Sequence, residues 1–206
     1  MITIHNTVDS EKIQRLSKEA IDLNFDDTEI KICAVGKLLK NKGFDRLVHI
    51  QKLLKEKGYR SHFYFIGEGS LRAEIESYCL KHGLESTVTL LGFLNNPFPY
   101  MRRCDLFVCA SLQEGYSTAT TEALILGLPV LTTNVSGMSE MLGNNNDYGI
   151  ITENSEKALL NGLLQLLDRP GMLEHYKKMA QIRGMQFSTQ NLVAETEHFI
   201  EDILAS

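Results

Sequence analysis

No stretch of this 206-residue chain approaches the 18 or so uncharged apolar residues that a membrane-crossing helix requires, so no transmembrane helix is expected. The N-terminal run Met1-Ile2-Thr3-Ile4-His5-Asn6 has no basic segment followed by a hydrophobic one and does not read as a secretory signal. Positive charge is scarce: 21 Lys and Arg stand against 26 Asp and Glu, a net charge of −5, which leaves no basic footprint for nucleic acid. The four cysteines, Cys33, Cys79, Cys104 and Cys109, have no CxxC spacing, and Cys33 and Cys109 lie inside apolar runs. Free buried thiols in a reducing cytoplasm are the expectation. The six histidines are scattered, and neither HxxxH nor DxD occurs, so no metal site is expected. There is no Gly-x-Ser-x-Gly, which sets aside a serine hydrolase triad. Gly67-Glu68-Gly69 opens like a dinucleotide fingerprint, but Arg72 stands where the third glycine belongs.

What is present is an alternation of apolar strands and amphipathic helices. Ile30 to Gly36, His62 to Gly67, Thr87 to Gly92, Asp105 to Ala110 and Pro129 to Thr133 read as strands, with a weaker sixth at Tyr148 to Ile151. Helices are expected from about Ser10 to Ala20, around Leu47, Ile50, Leu53 and Leu54, from Leu71 to His82 with Gly83 closing it, and briefly over Phe98 to Arg103. Further helices are expected after Glu140, over Ser155 to Leu167 and Gly171 to Gly184, and from Thr189 to Leu204. Lys37 to Gly43 reads as a polar loop and Ser136 to Glu140 as another. Parallel neighbours need crossovers, and crossovers are usually helices. The predicted fold class is therefore α/β, a doubly wound, Rossmann-like parallel sheet of about six strands flanked by helices. One such domain suits this length. Ligands of such folds bind outside the carboxyl ends of the strands, here near residues 36, 67, 92, 111 and 134.

The most informative stretch is Glu114 to Pro129, EGYSTATTEALILGLP, which follows the strand at Leu106 to Ala110. Ser117 is suited to N-cap a short helix, Gly127 to end it in the left-handed conformation, and Pro129 to prevent continuation. Unpaired amides at that helix start, carrying the positive end of its dipole, make an anion site. Glu114 before the helix and Glu122 in its second turn add hydroxyl acceptors, so a phosphorylated sugar or nucleotide suits the place. Taken singly, Glu114 and Glu122 read equally well as solvated carboxylates, and Lys37 and Lys42 as solvated loop cations. Their position at strand ends beside the anion site favours function, because an ammonium is a compact charge suited to phosphate oxygens.

At these residues the sequence resembles a known family. Glu114-x7-Glu122 with Thr132, Gly137 and Glu140 downstream, VGKLLKNKGFDRL at 35–47, Ile66-Gly67-Glu68-Gly69 with Arg72, LLGF at 90–93 and Cys104-Asp105-Leu106-Phe107-Val108 with Ser111 are similar to the donor-binding half of retaining GT-B glycosyltransferases of family four. The resemblance covers roughly residues 30–155. It implies that Lys37, Lys42 and the backbone amides of Gly115, Tyr116, Ser117 and Thr118 hold a donor diphosphate. It further implies that Glu122 accepts from the ribose, that Glu114 lies near the transferred sugar, and that Gly92, Phe93 and Leu94 edge the base. The family usually has arginine at position 37; lysine keeps the charge and lacks the bidentate fork. Where Phe-Gly-Leu is common, this chain has Tyr116-Ser117-Thr118, and the Ser117 hydroxyl either donates to phosphate or caps the helix.

The implied activity is retaining hexosyl transfer from a nucleoside diphosphate sugar, UDP-linked by family frequency, to a glycan or lipid-linked acceptor. Lys37, Lys42 and Glu114 are the implied catalytic groups, with no cofactor, no divalent metal and no covalent nucleophile. Family members hold the acceptor in a second, N-terminal domain, so the chain is expected to be the donor half of a GT-B fold and inactive alone. Residues 1–29 are then a connector and lead-in helix, with Ile4 to Asp9 resembling the interdomain link. Residues 30–188 form the nucleotide-sugar domain and 189–206 a C-terminal helix. A cytoplasmic location follows, peripheral at the inner membrane face for the full-length protein. The alternative is a nucleotide- or phosphosugar-binding module with no chemistry of its own.

Overall fold

The computed structural model describes residues 8–187. Six parallel strands, β1 (Ile30–Val35), β2 (Ser61–Ile66), β3 (Val88–Gly92), β4 (Leu106–Cys109), β5 (Val130–Thr133) and β6 (Ile150–Thr152), make one sheet in the order β3-β2-β1-β4-β5-β6. Eight α-helices accompany them: α1 (Ser10–Leu16), α2 (Phe44–Glu56), α3 (Arg72–His82), α4 (Phe98–Arg102), α5 (Thr118–Ile125), α6 (Met138–Leu142), α7 (Glu156–Asp168) and α8 (Met172–Gln186).

Strand periodicity explains why the sheet is covered on both sides. Successive side chains point to opposite faces, and here both sets are apolar. Ile32 and Ala34, Phe63 and Phe65, Leu106 and Val108, and Leu131 join one core with Leu47, Ile50 and Leu54 of α2, Ile75 of α3 and Leu159 and Leu163 of α7. The intervening Cys33, Tyr64, Ile66, Phe107, Cys109 and Val130 join a second core with Met101 of α4, Ala123 and Leu124 of α5, Met138 and Met141 of α6 and Ala180 of α8. Each fully buried Leu, Ile or Phe contributes roughly 1.5–3 kcal/mol, so only a doubly covered sheet satisfies such strands. The doubly wound fold predicted from the strand and helix alternation is thus observed. All four cysteines are free and buried.

Three boundaries differ from the sequence reading. Helix α1 stops at Leu16 instead of running to Ala20, because the Ser17 hydroxyl donates to Gln14 O at 2.9 Å and the chain tightens into three-residue turns, Lys18 N to Arg15 O and Glu19 N to Leu16 O. Residues 10–29 also supply Ile13 and Phe25 to the second core. Lys40–Lys42, within the expected polar loop, forms a turn of 3-10 helix. Helix α6 begins at Met138, inside the expected loop, with Gly137 at φ 79° before it and Met138, Met141 and Leu142 buried beneath. The helix expected from Thr189 and the connector up to Thr7 lie outside the described residues.

Strand order reverses between β1 and β4, and their carboxyl ends open the crevice typical of this topology. Gly43 keeps that crevice narrow. Its φ is 69°, and a Cβ there would stand 2.1 Å from Ala110 O, so only glycine lets the segment after β1 lie against the end of β4.

Candidate functional site

Close approach at Gly43 brings Lys42 to the segment after β4. Lys42 Nζ lies 2.6 Å from Glu114 Oε1, and the Ser111 hydroxyl donates to the same oxygen at 2.9 Å. The two charged side chains are only 27% and 12% exposed, so the pair is sheltered and its attraction is stronger than that of a surface pair. The residues resembling a phosphate lysine and a sugar carboxylate are thus joined to each other. Ser111, which the sequence marks only as one of the residues carrying the family resemblance, is the third member of this cluster; nothing in its spacing marks it as a donor to Glu114.

Helix α5 starts as the sequence predicts. Ser117 is the N-cap, its Oγ accepting from Thr120 N at 3.3 Å and from the Thr120 hydroxyl at 2.9 Å. At 5% exposure this hydroxyl is committed to the helix, which decides between the two roles left open for it. Gly115 and Thr118 are exposed at the helix start, and a Cβ on Gly115 would meet nothing within 4 Å. Gly137, leading into α6, backs the turn: a Cβ there would lie 2.8 Å from Gly115 O and 3.4 Å from the Tyr116 ring.

Glu122 lies four residues after Thr118 and so on the same face of α5, one turn deeper. Burial alone raises its carboxyl from 4.5 to about 7, and no hydrogen bond or ion pair offsets that burial among the described residues. Among the described residues it is thus a half-buried acid without a partner, one turn from an open helix start.

The remaining predicted residues gather at the ends of β1, β2 and β3. Val35, Gly36, Lys37, Ile66, Gly67, Glu68, Phe93, Leu94 and Pro97 line a mostly apolar cavity of about 420 Å³. Gly92 adjoins this lining, its carbonyl accepting from Gly67 N at 2.8 Å. Gly67 borders this cavity, while Gly69 packs against the Leu38 carbonyl, where a Cβ would stand 2.4 Å from Leu38 O. Phe93 is 73% exposed at the rim. Lys37 is exposed and makes no ion pair among the described residues, in contrast to Lys42. The two lysines belong to two adjoining halves of the crevice, which meet at Val35: this residue also lines the narrow gap holding Lys42, Ser111 and Glu114. No group of His, Cys, Asp and Glu able to hold a metal ion occurs among the described residues, and no described helix is long and apolar enough to cross a membrane.

Residues 17–183 match the family described as glycosyl transferases group 1. The chain belongs to that family. A Campylobacter jejuni relative of this glycosyltransferase chain, N-acetylgalactosamine-N,N'-diacetylbacillosaminyl-diphospho-undecaprenol 4-alpha-N-acetylgalactosaminyltransferase, is 30% identical over 199 residues, covering 96% of this chain and 52% of the relative. The capsular polysaccharide biosynthesis glycosyltransferase CapM of Staphylococcus aureus is 26% identical, with 96% and 51% covered. The chain thus spans about half the length of these curated relatives. Among solved structures, the Anabaena protein Alr3699/HepE in complex with UDP superposes with a TM-score of 0.76 at 18% identity, over 98% of this chain and 57% of that one. TarM of S. aureus, crystallised with UDP among other ligands, gives 0.73 at 22% identity over 96% and 37%. At such identities the superpositions establish a common fold, and the α/β sheet of this glycosyltransferase is the one they share.

Proposed function

We propose that this chain is the donor-binding half of a retaining GT-B glycosyltransferase of family four, taking a UDP-linked hexose for transfer to a glycan or lipid-linked acceptor. The observation that carries the reading is the meeting, at the switch point of the sheet, of the Lys42–Glu114 pair and the exposed start of α5. The diphosphate lies against Lys37, Lys42 and the amides of Gly115 to Thr118. Glu122 accepts from the ribose hydroxyls, the apolar cavity beside Gly92, Phe93 and Leu94 takes the base, and Glu114 faces the hexose. Support for a uridine base comes from HepE and TarM, both crystallised with UDP. Support for a lipid-linked or glycan acceptor comes from the names of the Campylobacter and Staphylococcus relatives.

Cleaving the bond between anomeric carbon and phosphate oxygen leaves negative charge on the diphosphate and oxocarbenium character on the sugar. In this reading Lys37, Lys42 and the amides of the helix start face the departing charge, and one preorganised donor of this kind contributes about 3–4 kcal/mol to barrier lowering. Neutralisation of the leaving group falls to Lys37, Lys42 and the helix start instead of a divalent metal. Because Glu114 already offsets the charge of Lys42, the helix start and the unpaired Lys37 supply the net positive potential, while Lys42 bridges phosphate and carboxylate. Acceptor attack on the face vacated by the leaving group retains configuration, and no side chain here is assigned as a covalent nucleophile. The acceptor is held by a separate domain, in keeping with relatives of about twice this length. The reaction is placed on the cytoplasmic side, at the inner membrane face where a lipid-linked acceptor presents its sugar.

Calorimetric titration with UDP, GDP and ADP tests the site. UDP is expected to bind, and both Lys42→Ala and Glu122→Ala to weaken it by tenfold or more, about 1.4 kcal/mol; unchanged affinity in both variants refutes the shared site. A UDP-sugar bound no more tightly than UDP, whichever common sugar is offered, would favour a non-catalytic nucleotide module. The chain alone is expected to bind without steady transfer, and measurable steady transfer would overturn the assignment of the acceptor to another domain.

A further inference from the structure

The segment that delivers Glu114 to Lys42 leaves the core after Ala110 and Ser111, each 2% exposed, and reaches the surface at Leu112, 51% exposed, and Gln113, so apolar packing does not fix its path from Leu112 on. Hydrogen bonds do. Three successive carbonyls are each held by a different part of the fold. Ala110 O accepts from Arg46 Nη1 of α2 at 3.0 Å. Ser111 O accepts from the Thr133 hydroxyl at the end of β5 at 2.6 Å. Leu112 O accepts from Asn154 Nδ2, between β6 and α7, at 3.1 Å. Arg46 and Asn154 are themselves joined, Nη1 donating to Oδ1 at 2.8 Å. From the other side, Leu112 N donates to Asn41 O at 2.8 Å, one residue before Lys42. The two members of the ion pair therefore hang from one frame, and only Gln113 separates the last clamped residue from Glu114.

We propose that Arg46 and Asn154 are positioning residues that set the reach of Glu114 toward the donor sugar. This inference rests on the reading above in which Glu114 faces the hexose. The arrangement has a logic of charge. Arg46 donates to one neutral carbonyl, Ala110 O, and to an amide oxygen, so it orders the segment without competing with Lys42 for the Glu114 carboxylate. Asn154 is the joint, its amide oxygen accepting from Arg46 while its amide nitrogen holds Leu112 O. A change at Asn154, on the exposed edge of the sheet and 40 residues along the chain from Glu114, should then act on sugar recognition.

Asn154→Asp separates the two halves of that joint, because a carboxylate still accepts from Arg46 and no longer donates to Leu112 O. Amide hydrogen exchange in the free chain is expected to speed up about tenfold at Leu112 and its neighbours in Asn154→Asp and in Asn154→Ala, with thermal unfolding little changed since the residue is exposed. Titration with UDP and with UDP-N-acetylgalactosamine is expected to show the preference for the sugar-bearing ligand reduced by about tenfold in Asn154→Asp and in Glu114→Gln. The double variant should lose no more than Glu114→Gln alone. Unaltered exchange at Leu112, an unaltered preference in Asn154→Asp where Glu114→Gln loses it, or additive losses in the double variant would each overturn the positioning role. No effect of Glu114→Gln on the sugar preference would instead refute the reading of Glu114, and the exchange rates would still judge the Arg46–Asn154 frame by themselves.

Discussion

Glu122 is a carboxylate whose burial nothing offsets among the described residues. Its carboxyl is raised to about 7 by burial, so the folded chain holds that proton more tightly than the unfolded chain does. Folding stability then falls as pH rises from about 4.5 to about 7, and the cost is complete above that window. Glu122→Gln is therefore expected to raise the unfolding temperature at about pH 8 and to change it little near pH 4.5, measured by thermal scans across the range. A variant no more stable than the parent at alkaline pH would mean that the carboxylate is solvated after all. The same group makes ligand affinity pH-dependent: if the ionised form accepts the ribose hydroxyls, UDP should bind more tightly as pH rises through about 7. At this scale the sequence named the acid and its place on the helix but could not supply its isolation. The absence of a cation near Glu122 is a fact about neighbours distant in the chain, and the presence of one near Glu114 is the same kind of fact.

Helix α5 is the element on which the site turns, and both of its ends were legible because capping is a local matter. A β-region Ser117 with its oxygen accepting from Thr120 N opens it, and Gly127 at φ 74° follows its C-cap Leu126. Ser117→Ala is expected to cost about 1 kcal/mol and Ser117→Gly a few tenths, read from urea denaturation midpoints at constant slope. Equal losses in both variants would place the role of Ser117 in side-chain packing instead of capping. Helix α1 was less legible. Its end depends on Ser17, whose hydroxyl returns to Gln14 O and also meets Arg102 Nη1 at 3.2 Å, 85 residues along the chain. The 3-10 turn at Lys40–Lys42 was hidden for a similar reason, since Leu112 N on Asn41 O and the tight fit of Gly43 under Ala110 O shape it.

At the scale of the molecule, the sheet order decides which loops become neighbours. Lys37 and Lys42 follow β1, Glu114 follows β4, and only the placement of β4 beside β1 makes one crevice of them. A ligand bridging these loops ties both halves of the sheet together and binds only the folded chain. UDP at one hundred times its Kd is expected to stabilise the chain by about 2.7 kcal/mol. For a chain of this length that is an increase in unfolding temperature of about 5–10 °C, growing with the logarithm of ligand concentration and cut to about half or less in Lys42→Ala at the same UDP concentration. A shift undiminished in Lys42→Ala would show that UDP binds elsewhere on the molecule.

The sequence by itself determined the class of fold, because period-two strands apolar on both faces and alternating with amphipathic helices have no other way to bury themselves. It determined too where α5 begins and ends, because caps are made by residues three or four apart. Tertiary structure alone decided that Lys42 and Glu114, 72 residues apart, form one sheltered pair, that Glu122 has no partner among the described residues, and that Arg46, Thr133 and Asn154 hold the carbonyls of a single segment, Ala110 to Leu112. Those outcomes depend on strand order and on distances of a few ångströms between remote loops, and electrostatic energy varies steeply over such distances while sequence spacing carries no record of them.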